Sequence, residues 1–498
     1  MTTTVYVRRF LVDYARNPVN LLLLTVVPVV FVVVVAGSMS DAAKLLGGTG
    51  SVVETASAGW AAAFLAGIAM YFQTSGTRDT DRRVSVAGLP AARLVLARLL
   101  TGLCLAGLAS TAALFALGAG TGIDHPIRAI AGTFMFAAIY VAVGAVVGTF
   151  VQNPVNGTII VLFVWILDVF FGPAMGAADR LATRGLPTHY TTLWMVDLPS
   201  GHSGRLGDLG WALGWTLMAM IASWAIVVAR TRSGRGDFFS GRTPFAGAQF
   251  GAAVSAAWRD ARRNPAQWAL FVVVPVVFIV TADAVTPDRP IDLTLEEAGR
   301  NVVRTFTMSD VHGATMAPIA VASLAALVGL FVMLDSRDAD SRVVLAGLKP
   351  NALLGARIGV LALSGLAATT VSLVATALVF QASNWPRYVA ANLLLAFTYG
   401  FIGALLAPLF GRVGGVFIAF LLPFLDIGIV QSPMLHPTPT SLSQYLPGYG
   451  GSRVVLDGAL TSGFDGIGPL AAGLAWLAAL GGLVCFVYRH SVRPATLA

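Results

Sequence analysis

The sequence predicts an all-α polytopic membrane protein with twelve transmembrane helices, arranged as two parallel six-helix repeats. Hydrophobic residues make up 56% of the 498 residues and charged residues only 11%, less than half the charged share of an average soluble domain. Apolar stretches recur along the whole chain, and several charged motifs occur twice in the same order. This composition excludes a soluble enzyme, a disordered chain and a fibrous protein.

The predicted spans are apolar windows of about 20 residues, the length that crosses the hydrocarbon core of a bilayer as a helix. Six lie in each half: 19–38, 57–73, 99–118, 129–150, 157–177 and 209–228, then 266–282, 313–333, 358–376, 388–409, 414–432 and 467–487. Arginine is concentrated on one side of this map, and acidic residues are richer on the other. The positive-inside rule therefore predicts that both the N and the C terminus are cytoplasmic.

The second half of the chain repeats the first. Because each half has an even number of spans, both halves enter the membrane from the same side, so the repeats are parallel and form a pseudo-dimer. We predict two transmembrane halves, 1–230 and 249–498, joined by a cytoplasmic linker at 231–248 that is rich in Gly, Ser, Thr and Arg. The matching landmarks are Arg16–Pro18 and Arg263–Pro265, Arg78–Leu89 and Arg337–Leu348, Asp168 and Asp426, and Leu186-Pro187 and Leu446-Pro447.

The chain lacks the residues needed to bind ATP itself. Lys44 and Lys349 are its only lysines, and neither precedes the Ser or Thr of a phosphate-binding loop. Cys104 and Cys485 lie in apolar runs, and the six histidines show no metal-ligand spacing. We therefore expect no catalytic residues, no metal site and no cofactor in this chain.

A short basic segment precedes the first span of each half. One ends in Arg16-Asn17-Pro18 and the other in Arg263-Asn264-Pro265. Arginines beside apolar residues such as Phe10 and Trp258 suit a helix that lies in the inner membrane interface, and the proline separates this helix from the span. A basic anchor that only sets orientation is the alternative, and both interpretations can hold together.

The inner loops after the second and eighth spans combine both signs of charge. Orientation alone needs only arginine, so the mixture of Asp and Arg indicates a surface that docks against another protein. A solvated loop is the alternative. The residues are Arg78, Asp79, Asp81, Arg83 and Gly88 in the first loop, and Arg337, Asp338, Asp340, Arg342 and Gly347 in the second.

Two acids, Asp168 and Asp426, lie inside predicted spans, at matching places on the fifth and the eleventh. A carboxyl group at this depth must face a cavity, accept hydrogen bonds or be protonated. Three roles remain open. The acids are a gate or substrate contact, structural acids that cap the broken outer end of a helix near Gly172-Pro173 and Pro433, or a proton relay.

These repeated motifs resemble the permease subunits of ABC-2 type exporters. Members of that family have an interfacial connecting helix with a basic residue, Asn and Pro, a charged inner loop with Gly and Leu, and a Leu-Pro motif before the last helix. Each motif occurs twice here. The chain differs from the common form because it carries two six-helix halves where most members carry one, and aspartates where glutamates are more usual in the inner loop.

The resemblance implies a transport subunit that is not itself an enzyme. Its inner loops would act as coupling helices seated on two copies of a separate ATP-binding subunit, which would bind the ATP and Mg. The implied substrate path runs between the halves and is lined mainly by the second and fifth helices of each, with Asp168 and Asp426 as candidates for a gate or substrate contact. Its candidate lining residues are Trp60, Phe64, Met70, Phe163, Phe331, Phe420 and Phe424.

Aromatic and methionine side chains suit an apolar or amphipathic passenger. We therefore predict an exporter in the inner (plasma) membrane of a prokaryote that moves a hydrophobic or amphipathic small molecule, either lipid-like or drug-like as in multidrug and antibiotic efflux. We expect contact with membrane lipid and no nucleic-acid partner. The alternative is a proton-coupled secondary efflux transporter with twelve helices, in which the two acids relay protons. A membrane enzyme would need clustered His, Asp or Glu at membrane depth, and the spans hold only two separated acids.

Overall fold

The computed structural model describes residues 3–16, 18–175, 181–202, 204–233, 265–297, 300–345 and 350–491. The chain divides into two compact units, Met1–Phe239 and Ser240–Ala498. Of the predicted linker 231–248, only residues 231–233 are described, and they end a helix.

The described part of the first unit is built from α-helices with short π and 3-10 turns. Proline stands at the first position of α2, α6 and α7, where its fixed φ and missing N–H are tolerated. Pro28 lies inside α2, and a π turn at Phe31–Val35 then carries the chain into α3 as one apolar stretch. The helices are α1 Thr3–Ala15, α2 Pro18–Val30, α3 Ala36–Leu45, α4 Gly50–Val86, α5 Ala91–Gly120, α6 Pro126–Phe150, α7 Pro154–Phe170, α8 His189–Met195 and α9 Gly204–Ser233.

The described part of the second unit follows the same order with two additions, a β-hairpin and a broken helix. The break lies at Gly411 in α13, whose φ of 63° and ψ of −159° interrupt the helix three residues after Pro408, and α13 ends in a π turn at Phe424–Val430. The elements are α10 Pro265–Val285, β1 Pro290–Glu297, β2 Arg300–Thr307, α11 Met308–Leu345, α12 Pro350–Val379, α13 Trp385–Pro423, α14 Gly448–Leu460 and α15 Ile467–Ser491.

The most enclosed spans are α4 in the first unit and α11 in the second, since 83% of the most apolar window of each is buried. In the first unit α4 crosses α6 so closely that a side chain on Gly144 would overlap the carbonyl oxygen of Gly67. In the second unit a side chain on Gly403 would overlap the carbonyl oxygen of Ala326 in the same way. Close backbone approach through small residues is a common way to pack helices in a membrane.

A β-hairpin, which the sequence did not predict, interrupts the predominantly helical fold of the second unit. β1 and β2 pair antiparallel, with Leu293 opposite Arg304, and Thr305 donates a hydrogen bond of 2.6 Å to the carboxylate of Asp292. Leu293 and Leu295 point to the buried face. The segment Ile291–Glu296 alternates apolar and polar residues, which is the signature of a half-buried strand. A search for long apolar windows does not detect such a pattern.

The described residues contain ten helices that are long and apolar enough to cross a membrane, fewer than the twelve predicted spans. The fifth predicted span falls on α7, which has only 17 residues. The tenth and eleventh predicted spans fall together on α13 and its π turn, on either side of Gly411. The chain is thus a multi-pass, predominantly helical membrane protein, and its count of membrane crossings stays a prediction.

We expect Gly144→Ala and Gly403→Ala each to lower the free energy of unfolding by about 1–3 kcal/mol, because the added methyl group forces two packed backbones apart. Gly107→Ala and Gly365→Ala are matched controls. Their added carbons would lie 3.6 Å from the ring of Phe134 and 3.8 Å from Ala396, which is ordinary contact. Thermal unfolding in detergent measures the difference, and equal midpoints for the two sets would contradict the tight crossing.

Candidate functional site

The charged segment of the first unit is helical, not a loop as the sequence predicted. It forms the last turns of α4, which continues to Val86. Arg98 on α5 donates two hydrogen bonds to the carboxylate of Asp81, of 2.7 Å from Nη2 and 3.0 Å from Nε, and Phe10 of α1 lies 3.8 Å from the Arg98 guanidinium. Asp81 and Arg98 thus tie α4 to α5, and Phe10 packs α1 against the same guanidinium.

The second unit contains the same tie. The predicted loop is again helical, because α11 continues to Leu345. Asp340 is only 1% exposed. It accepts hydrogen bonds of 2.7 Å from Arg357 Nη2, 3.3 Å from Arg357 Nε and 2.8 Å from the hydroxyl of Tyr488, on the last helix. Bidentate pairs between arginine and a carboxylate are among the stronger polar contacts in proteins.

The outward side of the first segment carries the remaining charges. Asp79 and Arg83 are exposed, Arg78 is half-buried, and Val86 is 84% exposed at the end of the helix. In the second segment Arg342 is exposed, whereas the side chains of Arg337 and Asp338, and the whole of Gly347, lie outside the described residues. A mixed-charge surface with an apolar tip thus remains available for docking.

The Gly-Leu pair that follows the first segment ends the helix. Gly88 has a φ of +105°, the left-handed region that glycine enters without strain. Its N–H donates to the carbonyl of Ser85, and the N–H of Leu89 donates to the carbonyl of Val84. These two hydrogen bonds are the Schellman pattern of helix termination. The pair therefore has a structural reason to follow the charged helix.

Asp168 is buried, and both of its carboxylate oxygens accept hydrogen bonds. Its carboxylate accepts a hydrogen bond of 3.0 Å from the Tyr140 hydroxyl on α6. It also accepts a hydrogen bond of 2.7 Å from the Thr188 hydroxyl and one of 3.2 Å from the Thr188 N–H, where α8 begins. One carboxyl group thus joins the predicted fourth span, the fifth span and the outer helix that follows the Leu186-Pro187 motif.

Asp426 occupies the corresponding place in the second unit, and it is 3% exposed. Its carboxylate accepts hydrogen bonds of 2.5 Å from the Tyr399 hydroxyl on α13 and 2.8 Å from the N–H of Gly448, the first residue of α14. The side-chain amide of Gln431 donates a third hydrogen bond of 3.2 Å. The Leu446-Pro447 motif again immediately precedes the anchored helix.

A third tie closes the outer end of each unit, and sequence reasoning did not find it. Arg128 pairs with Asp197 at 3.1 Å, and Arg387 pairs with Asp457 at 3.3 Å. The Arg128 guanidinium holds the pKa of Asp197 below its usual range, whereas burial raises the pKa of Asp457. The Asp197 pair therefore adds stability above the ordinary carboxyl pKa of about 4 and loses it as the pH falls below that value.

The predicted path residues are mostly buried. Trp60, Phe64, Met70 and Phe331 are each 2% exposed or less. Trp60 accepts a hydrogen bond from the ring N–H of Trp165 through its carbonyl, and the Phe64 ring lies 5.0 Å from that of Trp165. The half-buried residues are Phe163 and Phe424, and the Phe424 ring stacks on Phe420, which is 6% exposed, at 6.5 Å.

The predicted connecting helix of the first half is a helix, α1, and Pro18 begins the span that follows it. Arg16 is exposed and pairs with Asp13 at 3.4 Å, a surface pair that contributes little to stability. Asn17 lies outside the described residues, as do Arg263 and Asn264 in the second half. Pro265 begins α10.

Residues 57–229 match the model of a known family, described as ABC-2 family transporter protein. Over these residues the chain is similar to ABC-2 transporters. The matched region runs from within α4 into α9 and contains the Asp81, Asp168 and Asp197 ties of the first unit. No curated protein matches the chain.

ABC-2 family proteins are membrane components of ABC transporters. Components of this kind lack an ATPase site and normally work with ATP-binding subunits. This similarity agrees with the sequence, in which neither lysine belongs to a phosphate-binding loop. The resemblance drawn from the repeated motifs is thereby confirmed at the level of the family.

The Asp340 tie predicts a strong effect on stability. Asp340→Asn leaves the Arg357 charge without its buried partner, so we expect the free energy of unfolding of the protein to fall by about 3 kcal/mol. Asp335→Asn, on the same helix, is the matched control. Its pair with Arg412 has side chains that are 40% and 52% exposed, so we expect a change of about 0–1 kcal/mol. Thermal unfolding compares the two, and equal losses would refute the structural role of Asp340.

Proposed function

We propose that this protein is the permease subunit of an ATP-driven ABC-2 type exporter. In this proposal two homologous six-helix halves, 1–230 and 249–498, are joined by the linker 231–248 and driven by two copies of a separate ATP-binding subunit. The transported molecule is hydrophobic or amphipathic, either drug-like or lipid-like. The complex would work in the inner membrane of a prokaryote and move this molecule out of the cytoplasm or the inner leaflet.

The observation that carries the proposal is the construction of the charged inner segment. Asp81 is turned inward and tied to Arg98, while Asp79 and Arg83 are exposed on the same helix. A partner seated on the exposed side would therefore push on a braced helix. Because α4 runs without interruption for 37 residues, a displacement of its charged end is transmitted along the whole span.

The repeat of the ties supports the proposal that the two halves are homologous. Asp81 and Arg98 correspond to Asp340 and Arg357 in the repeated motif. Each half also contains a Tyr–Asp contact and an outer Arg–Asp pair, at matching places along the chain. Paired landmarks that make the same contacts are what a duplication of one six-helix unit would leave.

The substrate class is supported by the side chains of the predicted second and fifth spans. Trp60, Phe64 and Met70 lie on α4, where they are buried in this structure, and Phe163 adds a half-buried aromatic ring from α7. Apart from Asp168, the described part of α7 carries no charged side chain. An apolar lining of this kind favours a hydrophobic or amphipathic passenger over a hydrophilic one.

A proton-coupled secondary transporter is the second candidate, favoured by the two buried acids. A carboxyl group that relays protons must exchange them with water or with another acid. Asp168 instead accepts three hydrogen bonds from protein groups, and so does Asp426. This arrangement favours a structural role for both acids over a relay.

Isolation of the complex tests the proposed function. We expect an ATP-binding subunit to co-purify with the chain from native membranes, and inside-out vesicles holding the complex to accumulate the lipophilic cation ethidium when ATP is supplied. Accumulation should survive a protonophore and stop with vanadate. Accumulation that ignores ATP and collapses with the proton gradient would favour the secondary transporter.

Charge reversal tests the docking surface. We expect Asp79→Arg together with Asp338→Arg to reduce the yield of complex with the ATP-binding subunit by about tenfold, since like charges opposed at an interface cost several kcal/mol. Membrane insertion and thermal unfolding of the permease should stay unchanged, because Asp79 is exposed. Asp124→Arg, at an exposed residue between α5 and α6, is the control. Undiminished complex yield in the double variant would refute this docking role.

A further inference from the structure

Asp168 and Asp426 lie at the same kind of junction, where an outer helix leaves the membrane core. Each carboxylate contacts a backbone N–H at the start of that helix, at Thr188 before α8 and at Gly448 in α14. Each also contacts a tyrosine hydroxyl on the preceding span. An acidic group at a helix start satisfies N–H groups that the helix leaves free and is favoured by the helix dipole.

We propose that Asp168 and Asp426 are positioning residues that anchor the outer helices α8 and α14 within their own units, and that only the second anchor requires a carboxyl group. The inference does not rest on the proposed function. It follows from an inventory of the donors that face each acid, because a hydroxyl can either donate or accept a hydrogen bond, whereas an N–H can only donate.

The first anchor can accept an amide in place of the acid. Only one obligate donor faces Asp168, the N–H of Thr188, and it points to Oδ1. The other two donors are the hydroxyls of Tyr140 and Thr188, and both point to Oδ2. In Asp168→Asn the amide oxygen can take the place of Oδ1, while the amide N–H groups donate to hydroxyls that have turned to accept.

The second anchor cannot accept an amide. Two obligate donors face opposite oxygens of Asp426, since Gln431 Nε2 points to Oδ1 and the N–H of Gly448 points to Oδ2. The Gln431 side-chain amide cannot rotate to exchange its oxygen and nitrogen, because its Nε2 also donates a hydrogen bond of 2.8 Å to the carbonyl of Ser443. In Asp426→Asn one N–H group must therefore face another, which leaves buried donors unsatisfied.

Gly448 belongs to the second anchor for a steric reason. A side-chain carbon placed on Gly448 would lie 2.9 Å from the Asp426 carboxylate, closer than real contacts allow. The first unit has Thr188 at the start of its outer helix, and the Thr188 hydroxyl itself donates to the acid. Each unit thus completes the anchor in its own way, with a hydroxyl in the first and with Gln431 in the second.

Two buried hydroxyls offer reporters for the state of the anchored helices. Thr191 on α8 and Ser452 on α14 are 0% and 6% exposed, and neither hydroxyl has a hydrogen-bond partner within the described ranges. Thr191→Cys and Ser452→Cys therefore remove no such bond. With Cys104 and Cys485 replaced by alanine, the rate of labelling by a membrane-impermeant methanethiosulfonate reports how often each outer helix leaves its place.

We expect Asp426→Asn, Asp426→Ala and Gly448→Ala each to raise the labelling rate at position 452 by about tenfold or more, since each disrupts a buried polar contact. At position 191, Asp168→Ala should raise the rate to a similar extent. Asp168→Asn should keep it within about twofold of the parent, because the amide oxygen still accepts from the Thr188 N–H and the amide N–H groups donate to the two hydroxyls. Each substitution should leave the reporter of the other unit unchanged, which separates a local anchor from general unfolding.

Equal sensitivity of the two anchors to Asn would overturn the inference, and so would unchanged labelling at position 452 in both Asp426→Asn and Gly448→Ala. If Asp426→Asn does not accumulate in the membrane, Gly448→Ala keeps the acid and still tests the second anchor. The measurement needs neither ATP nor a partner subunit, so its failure would leave the proposed exporter untouched. Loss of ATP-driven transport would likewise leave the anchors standing.

Discussion

A polar group buried among membrane helices must find its hydrogen-bond partners inside the protein, because lipid offers none. Most of this structure follows from how the chain meets that demand. Asp340 and Asp426 are at most 3% exposed, and each accepts hydrogen bonds from at least two neighbouring elements. An acid that would be costly alone becomes the point at which separate helices are held together.

Each unit has such ties at three levels, near the predicted inner end, within the core and near the predicted outer end. The inner tie joins the end of the second predicted span to the third, through Asp81 or Asp340. The core tie joins the fourth and fifth predicted spans to the outer helix, through Asp168 or Asp426. The outer tie is the pair of Arg128 or Arg387 with an aspartate. Together these contacts link the charged inner segment to the outer helix within one unit.

The two units differ in their insertions and in the groups that complete each tie. A β-hairpin stands before α11, whereas the chain passes from α3 to α4 in the first unit without a strand. Gly411 interrupts α13 at the place that corresponds to residues 151–153, which separate α6 from α7 in the first unit. Tyr488 completes the inner tie of the second unit, while Phe10 covers Arg98 in the first. Insertions and changes of partner are tolerated because they leave the buried carboxyl groups satisfied.

Composition, apolar windows and repeated motifs were enough to predict a helical membrane protein and the ABC-2 family, because lipid imposes a strong requirement on every span. The same reasoning singled out Asp81, Asp168, Asp340 and Asp426 without identifying their partners. Arg98 lies 17 residues from Asp81, and Tyr140 and Thr188 lie 28 and 20 residues from Asp168. Only tertiary packing brings these partners into contact with the acids. A docking surface and an internal ion pair use the same residue types. The sequence therefore could not tell that Asp79 is exposed and Asp81 is paired with Arg98. That difference is made by the direction in which each side chain leaves the helix.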